Sequence, residues 1–536
     1  MTTSLLTLDG VTAILPDGRV LFSDVYATFD RRPTGLVGRN GAGKSVLARI
    51  LAGEDEPSVG RRLASGRVHY LPQHVAEAST SVAGLAGFGP VLDALSRIEG
   101  GSSDARDFDL VGERWDIRER LRSALEQAGL GRLDVMGDTG ALSGGEAMRV
   151  ALLGAGLSRA DMLILDEPSN HLDTDGRRAL VQWLRDWQGG LLVVSHDRSL
   201  LEGMQRIVEL SSLGLRNYAG NYSHYAQARA AERDSALDRL VRSKVERKRG
   251  ERALREQRER QDRRTARGDR EGRDANDSRL TLGLRKSASE VSAGKSVRHM
   301  EAIRVGLHEK VRDAARDVAD DVPVALLAPL TAAHGRRKVA TLDGVRLPHI
   351  HGALAKVDLN LCRGQRVGVV GPNGSGKSTL LKVLGGRIAP LAGRLEVPVT
   401  VAWLDQHLSN LDPARPVIIQ LTEDASHVGE DVLRTRLALL GLDASRLARP
   451  GGSLSGGEQL KAALARVLVA HEPPALLLLD EPGNHLDLVS LEALESMLNQ
   501  YVGTLVVVSH DAAFLDRLAL TDRLEATDEG WRITPW

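Results

Sequence analysis

The chain repeats itself once, and this constrains its fold more than any other feature. Gly38-Arg-Asn-Gly-Ala-Gly-Lys44-Ser45 is matched by Gly371-Pro-Asn-Gly-Ser-Gly-Lys377-Ser378. In each half a glutamine, Gln73 or Gln406, lies 29 residues beyond that lysine. A Leu-Ser-Gly-Gly-Glu block follows at Leu142–Glu146 and Leu454–Glu458, then Leu-Asp-Glu-Pro at Leu165–Pro168 and Leu479–Pro482. Ser-His-Asp closes each copy at Ser195–Asp197 and Ser509–Asp511, its histidine again 29 residues past the glutamate. Five blocks in one order at repeated spacings mark a duplication, so the chain folds as two like domains. One spacing differs: Gln73 precedes Ser143 by 70 residues, whereas Gln406 precedes Ser455 by 49. The surplus is expected within Gly84–Arg114, where Gly and Ser are frequent, as a surface insertion that adds little chain-entropy cost and is either functional or an inert loop.

The segment between the copies differs in composition. From Ala226 to Arg264 it is rich in Ala, Leu, Glu, Arg and Gln with one glycine, Gly250, which predicts a long solvated helix. Glycine, serine, Asp and Asn interrupt Thr265–Gly294, predicting an irregular tip, and the helical signature returns over Lys295–Asp320. The expectation is an antiparallel hairpin over residues 225–321 between domains at 1–224 and 322–536. Its first helix, at a 1.5 Å rise per residue, would reach on the order of 60 Å. The formal net charge of the chain is zero, yet Ala226–Met300 holds 22 Lys and Arg against 13 Asp and Glu. That excess points to a polyanionic partner, although interleaved acids over Arg239–Arg260 also fit a helix face carrying its own ion pairs. Arg263, Arg264, Arg267, Arg270, Arg273, Arg279, Arg285 and Lys286 at the tip are the better RNA-contact candidates.

At 536 residues, 42% hydrophobic and 26% charged, the chain has the composition of a folded protein of several domains. Its longest apolar runs, such as Leu476–Leu479 and Leu505–Val508, are far short of the roughly 20 residues of a membrane helix. No basic stretch followed by an apolar one opens the sequence, so a cytoplasmic location is expected. The single cysteine, Cys362, excludes an intramolecular disulfide, a cysteine zinc knuckle and a cysteine-ligated iron–sulfur cluster.

Each glycine-rich loop follows an apolar strand, Pro33–Val37 or Arg366–Val370, and precedes an apolar helical run. That context makes the G-x-x-x-x-G-K-S pattern a phosphate cradle for ATP. Gly38, Asn40, Gly41 and Gly43, and Gly371, Asn373, Gly374 and Gly376, let backbone N–H groups turn inward around phosphates at a helix N-terminus. Lys44 and Lys377 would reach the β- and γ-phosphates, and Ser45 and Ser378, the latter followed by Thr379, would present a hydroxyl to Mg²⁺. Asp166 and Asp480 end buried strands and would hold Mg²⁺ directly or through water. Glu167 and Glu481 follow as general bases for the attacking water. His196 and His510, each just after a β-branched strand, are placed to contact the γ-phosphate.

Ser143, Gly144 and Gly145, with Ser455, Gly456 and Gly457, resemble the signature motif of the ATP-binding-cassette superfamily. The resemblance implies a fold of class α/β, with two P-loop NTPase cassette domains joined by an α-helical hairpin linker. It further implies two composite sites, Lys44 with Ser455 and Lys377 with Ser143, flanked across the interface by Asp487 and Asp173, with Gln73 and Gln406 joining the nucleotide and Mg²⁺ ligands. The family usually stacks adenine on an aromatic residue upstream of the P-loop. Here Val11–Asp17 and Val345–His349 contain none, which leaves His349 or an apolar side chain in that role.

Tandem cassettes around a charged hairpin, with Tyr218-Ala-Gly-Asn-Tyr-Ser-His-Tyr225 leading into it and Asn-His-Leu-Asp ending at Asp173 and Asp487, resemble the ABC-F proteins. Ser169 and Gly483 stand where that family usually has Thr. The resemblance implies a monomeric ATPase that binds the ribosome at the tRNA exit site when loaded with ATP. Its hairpin would approach the peptidyl-transferase centre, touching large-subunit rRNA and the P-site tRNA. The long tip favours antibiotic protection; the alternatives are a general translation factor or, less fittingly given the arm between the cassettes, the ATPase subunit of a membrane transporter. A chromosome or DNA-repair ATPase would instead carry its coil inside one cassette.

Overall fold

The computed structural model describes residues 5–73, 75, 80–140, 142–170, 172–211, 214–274, 301–315, 338–404, 411–424, 429–439, 442, 444–454, 456–468, 474–484 and 486–536. They form two compact units: Met1–Tyr225 with Pro323–Trp536, which holds both cassettes, and Ala226–Val322.

Each cassette is built on two sheets. In the first, β1 (Leu6–Ile14), β2 (Val20–Phe29) and β4 (Val59–Ala64) form an antiparallel sheet in the order β2-β1-β4. The larger sheet runs β5-β6-β7-β3-β8-β9, with β3 (Thr34–Gly38), β5 (Val68–Leu71), β6 (Met162–Asp166), β7 (Gly190–Val194), β8 (Arg206–Ser211) and β9 (Gly214–Ala219). All its pairs are parallel except β8 with β9. The second cassette repeats the plan. Its small sheet is β11 (Lys356–Cys362), β10 (Lys338–Arg346) and β13 (Ala392–Glu396). Its large sheet runs β14 (Val401–Leu404), β15 (Leu476–Asp480), β16 (Thr504–Val508), β12 (Arg366–Val370), β17 (Asp522–Thr527) and β18 (Gly530–Pro535). Strands β6, β7, β15 and β16 are buried at every position, which is why they read as unbroken Leu and Val runs rather than as alternating ones.

The parallel arrangement decides where the chemistry lies. Strands running the same way end at one edge of the sheet, and open α/β sheets bind ligands at that edge. The register sets Asp166 opposite Val194, Leu36 opposite Val194 and Gly38 opposite Leu210. The P-loop, the strand-end carboxylates and the strand-end histidines therefore converge without help from distant loops. Gly38 has φ +151°, and a Cβ there would lie 2.3 Å from the Leu210 carbonyl oxygen, so the first loop glycine is required by close backbone approach.

Two sequence expectations are corrected. The surplus in the first cassette is helical: Gly89–Glu99 and Ala105–Val111 lie between the helices Val82–Leu85 and Ile117–Gln127. In the second cassette only residues 425–429 separate Val417–Asp424 from Glu430–Leu439. Pro90 opens the first of these helices, Asp104 caps the second through the Arg106 amide, and Val91, Leu92, Leu95 and Val111 are buried. Arg97 and Asp107 join the two at 2.6 Å. Apolar periodicity outweighs the Gly and Ser content on which a loop was expected.

The second correction concerns the linker. Its first helix runs Tyr222–Asp274, 53 residues or about 80 Å at the α-helical rise, and so takes in the first ten residues of the expected tip. Gly268 and Gly272 each cost a helix only about 1 kcal/mol. A second helix covers 301–315. Glu246 pairs with Lys310 at 3.4 Å and Glu251 with His308 at 3.4 Å, so the two helices run antiparallel. Gly250 lies where they meet: a Cβ there would lie 2.4 Å from Leu307 Cδ1. Among the tip candidates Arg263 is exposed on the first helix. Arg264, Arg267, Arg270 and Arg273 fall on the same helix but their side chains lie outside the described residues, as do Arg279, Arg285 and Lys286 altogether.

Candidate nucleotide sites

The two phosphate loops share one geometry. Gly43 and Gly376 N-cap the helices Lys44–Ala52 and Lys377–Leu384 in the left-handed conformation, both at φ +96°. Lys44 Nζ donates to the Gly38 and Arg39 carbonyls at 2.9 and 3.2 Å, and Lys377 Nζ to those of Gly371 and Pro372, both at 2.8 Å. Each ammonium thus lies folded over its own loop. Burial lowers the pKa of both lysines, opposed by the nearby acidic side chains.

The strand-end carboxylates face those loops. Ser378 Oγ donates to Asp480 Oδ1 at 3.0 Å, and Ser45 hydrogen-bonds Asp166. Asp166 Oδ1 is buried without a hydrogen bond among the described residues. A hydroxyl beside a carboxylate with a spare buried oxygen fits a hard, oxygen-seeking cation such as Mg²⁺, which is held by one or two protein groups plus phosphate oxygens. That donor set also explains why no cluster of three His, Cys, Asp or Glu occurs among the described residues.

Glu167 and Glu481 sit in a conformation that a side chain rarely takes. Their φ values are +50° and +48°, and their amides donate to Val194 O at 2.8 Å and Val508 O at 3.0 Å. Two glutamates held alike in the left-handed region, each at a cost of order 1 kcal/mol or more, point to function. Burial raises both pKa values. For Glu481 the rise is to about 7, held there against the lowering effect of Arg177, the His510 amide and Lys377. His196 Nε2 lies 3.4 Å from Glu167 Oε1 and His510 Nε2 3.6 Å from Glu481 Oε1. Burial lowers both histidines, His510 to about 4, so the imidazoles are neutral near pH 7.

The cassettes complete each other's sites. Asp487 Oδ2 accepts from the Asn40 amide at 2.8 Å, and Asp173 Oδ2 from the Asn373 amide at 3.4 Å. The pocket at the first loop is lined by Asn40, Gly41, Gly43, Lys44, Ser45, Gln73, Asp166, Glu167 and His196, and from the other cassette by Gly483, Asn484, Leu486 and Leu491. The second is lined by Asn373, Gly374, Gly376, Lys377, Ser378, Thr379, Glu481 and His510, with Leu172 and Arg177 from the first cassette. Lys461, on the helix Gly456–Leu468 that begins with Gly456 and Gly457, feels both Asp487 and Arg39 electrostatically, which brings that helix to the first loop. Gly144 opens the matching helix, Gly144–Leu157, and Ser143 caps it in a reciprocal bond with Glu146. Ser143, Gly144 and Gly145 do not line the second pocket among the described residues. Gln406 and Ser455 lie outside the described residues.

Residues 29–170 and 354–484 both match the family model described as ABC transporter. The tylosin resistance ATP-binding protein TlrC of Streptomyces fradiae is 31% identical over 560 residues covering 96% of both chains. The ATP-binding protein Uup of Escherichia coli (strain K12) is 30% identical over 545 residues, 96% of this chain and 79% of that one. The chain belongs to the ABC-F family. It is accordingly an ATPase. Its fold is shared by the RNase-L Inhibitor, at TM-score 0.58, 19% identity and 98% and 90% coverage of the two chains. A recycling factor solved with archaeal ribosomal stalk protein aP1 follows at 0.57, 19% and 98% and 89%. No helix among the described residues of this ABC-F protein is long and apolar enough to cross a membrane.

Beside its loops this ABC-F chain places Arg19 and Leu21 at the first pocket and Ile350 at the second, while His349 does not line it. Of the two alternatives left open for the adenine side, His349 or an apolar side chain, it is an apolar one, Ile350, that lines the pocket. Arg177 and Asn484, which are not among the sequence candidates, line both pockets. Arg177 carried one signal: it stands four residues after Asp173 where Leu491 stands four after Asp487.

Proposed function

We propose that this protein protects the ribosome from antibiotics acting on the large subunit. ATP closes the two cassettes over each other's phosphate loops, and the closed form binds at the tRNA exit site. The hairpin of residues 225–321 then reaches toward the peptidyl-transferase centre and meets rRNA and the P-site tRNA. Hydrolysis at the two sites opens the clamp and releases it. The observation that carries this reading is the similarity, over 96% of both chains, to a tylosin resistance protein. The basic excess of the linker and the exposed Arg263 support an RNA partner.

Within the sites, Lys44 and Lys377 bind the β- and γ-phosphates, and the loop amides cradle them. Ser45, Gln73 and Asp166 would hold Mg²⁺ at one site, and Ser378, Gln406 and Asp480 at the other, where the ion would neutralise phosphate charge. Glu167 and Glu481 take a proton from the attacking water, and neutral His196 and His510 donate Nε2–H toward the γ-phosphate. Ser143, Gly144 and Gly145, with Ser455, Gly456 and Gly457, cover the opposite nucleotide, and Asp173 and Asp487 brace the opposite loop. The cassette pair is intramolecular, so the working form is a monomer, and its ribosomal partner places it in the cytoplasm.

Expression in a drug-sensitive host tests the reading. Tolerance to drugs of the exit tunnel or catalytic centre should rise, and deleting Thr265–Gly294 should abolish it while leaving basal ATPase activity. Unchanged tolerance to all such drugs would favour a general translation factor.

A further inference from the structure

Arg177 breaks the symmetry of the two ATP sites. Asp173 and Asp487 occupy equivalent places, each N-capping the helix that follows it through an amide three residues on. One residue further along, the helix Thr174–Asp186 carries Arg177 and the helix Leu488–Gln500 carries Leu491. Leu491 is buried against apolar neighbours. Arg177 is anchored at two points: its Nε donates to the Leu172 carbonyl at 3.2 Å and its Nη1 to Asp197 Oδ2 at 3.2 Å. A guanidinium carries five N–H donors in a fixed fork, so two bonds leave it capable of more.

Its surroundings belong to both sites. Asp197 directly follows His196 of the first site and caps the helix Arg198–Glu202 by accepting from the Ser199 and Leu200 amides at 2.9 and 3.3 Å. Arg177 also lines the second pocket beside Glu481 and His510. Its charge is felt by both of those side chains and by Asp511, the counterpart of Asp197 in the other cassette. The first pocket receives Leu491 at the matching place across the interface, and Arg177 lines it from its own cassette, where it holds Asp197.

We propose that Arg177 is a positioning residue that crosses from the first cassette to the second ATP site, a contribution from the opposite cassette that the first site lacks, and that its bond to Asp197 links the two sites. Held by Asp197, the guanidinium orients the Glu481–His510 pair toward the water and γ-phosphate at Lys377. The pair Glu167–His196 has no such cation from the opposite helix, because Leu491 stands there. Hydrolysis at the second site therefore depends on the placement of Asp197, and through it on His196 and the state of the first site.

The test uses the full chain with one site silenced at a time. Glu167→Gln leaves turnover to the second site, and Glu481→Gln leaves it to the first. Adding Arg177→Leu should lower kcat about tenfold or more in the Glu167→Gln background with KM nearly unchanged, and less than about twofold in the other. Arg177→Lys, which keeps the charge but not the fork, should recover part of the loss. Equal losses at both sites, no loss at the second site, or a lysine variant as poor as leucine would each overturn the proposal, since any of them reduces Arg177 to interface packing.

Discussion

Glu481, proposed as the general base of the second site, shows what burial does to a carboxyl. Removal from water raises its carboxyl to about 7, with Arg177, the His510 amide and Lys377 pulling the other way. As pH falls through that value the base takes up a proton and can no longer accept one from water. Steady-state ATPase of the Glu167→Gln variant should accordingly fall between pH 8 and pH 6, and a flat profile would show that another group limits turnover. The same shift has an opposite sign in stability. A folded pKa above the ordinary 4.5 contributes stability that is complete below 4.5 and lost as pH rises through about 7. Residue types were legible where chemistry dictates them: Lys, Ser, Asp, Glu and His were found because the duplication fixes their spacing. Conformation was not. The left-handed φ at Glu167 and Glu481 leaves no compositional trace, since glycine or asparagine would be the residues expected there. Arg177 was missed because one arginine on an amphipathic helix reads as surface.

The elements repeat this division. Buried parallel strands read directly from their Leu and Val runs, whereas the helical insertion was hidden by its Gly and Ser content. The end of the long linker helix was set ten residues early because isolated glycines carry only a modest helical penalty. Contacts between elements far apart in sequence were wholly out of reach. Arg198, at the start of the helix Arg198–Glu202, is buried in an ion pair with Glu495 of the helix Leu488–Gln500, and Arg517 lies 3.4 Å from the same carboxylate. The pair ties the first cassette to the second across 297 residues of chain. Removing Arg198 leaves the buried Glu495 carboxylate to Arg517 alone, so Arg198→Met should destabilise the cassette pair, by less than about 3–5 kcal/mol, the cost of a fully stranded charge. Replacing Arg198 and Glu495 together with apolar residues should cost much less. Chemical denaturation of the single and double variants measures both, and equal losses would mean that packing rather than charge governs this contact.

At the scale of the whole molecule, two cassettes on one chain meet with their phosphate loops toward each other's Asn-His-Leu-Asp turns, so neither nucleotide site is complete alone. The duplication made this arrangement legible, because a single chain with two phosphate loops and two signature blocks can assemble the pair without a second copy. The partner of the clamp is the least local property and left the weakest mark, a basic excess on a helical hairpin. Hydrolysis-deficient protein exposes it most directly. With Glu167→Gln and Glu481→Gln combined, proton removal from water should fall by about 10²–10⁴ while ATP still binds. Given ATP, this variant should pellet with ribosomes through a sucrose cushion and stall translation, and it should be released when ADP replaces ATP. Recovery of the ATP-loaded variant in the ribosome-free supernatant would contradict ribosome binding by the closed form.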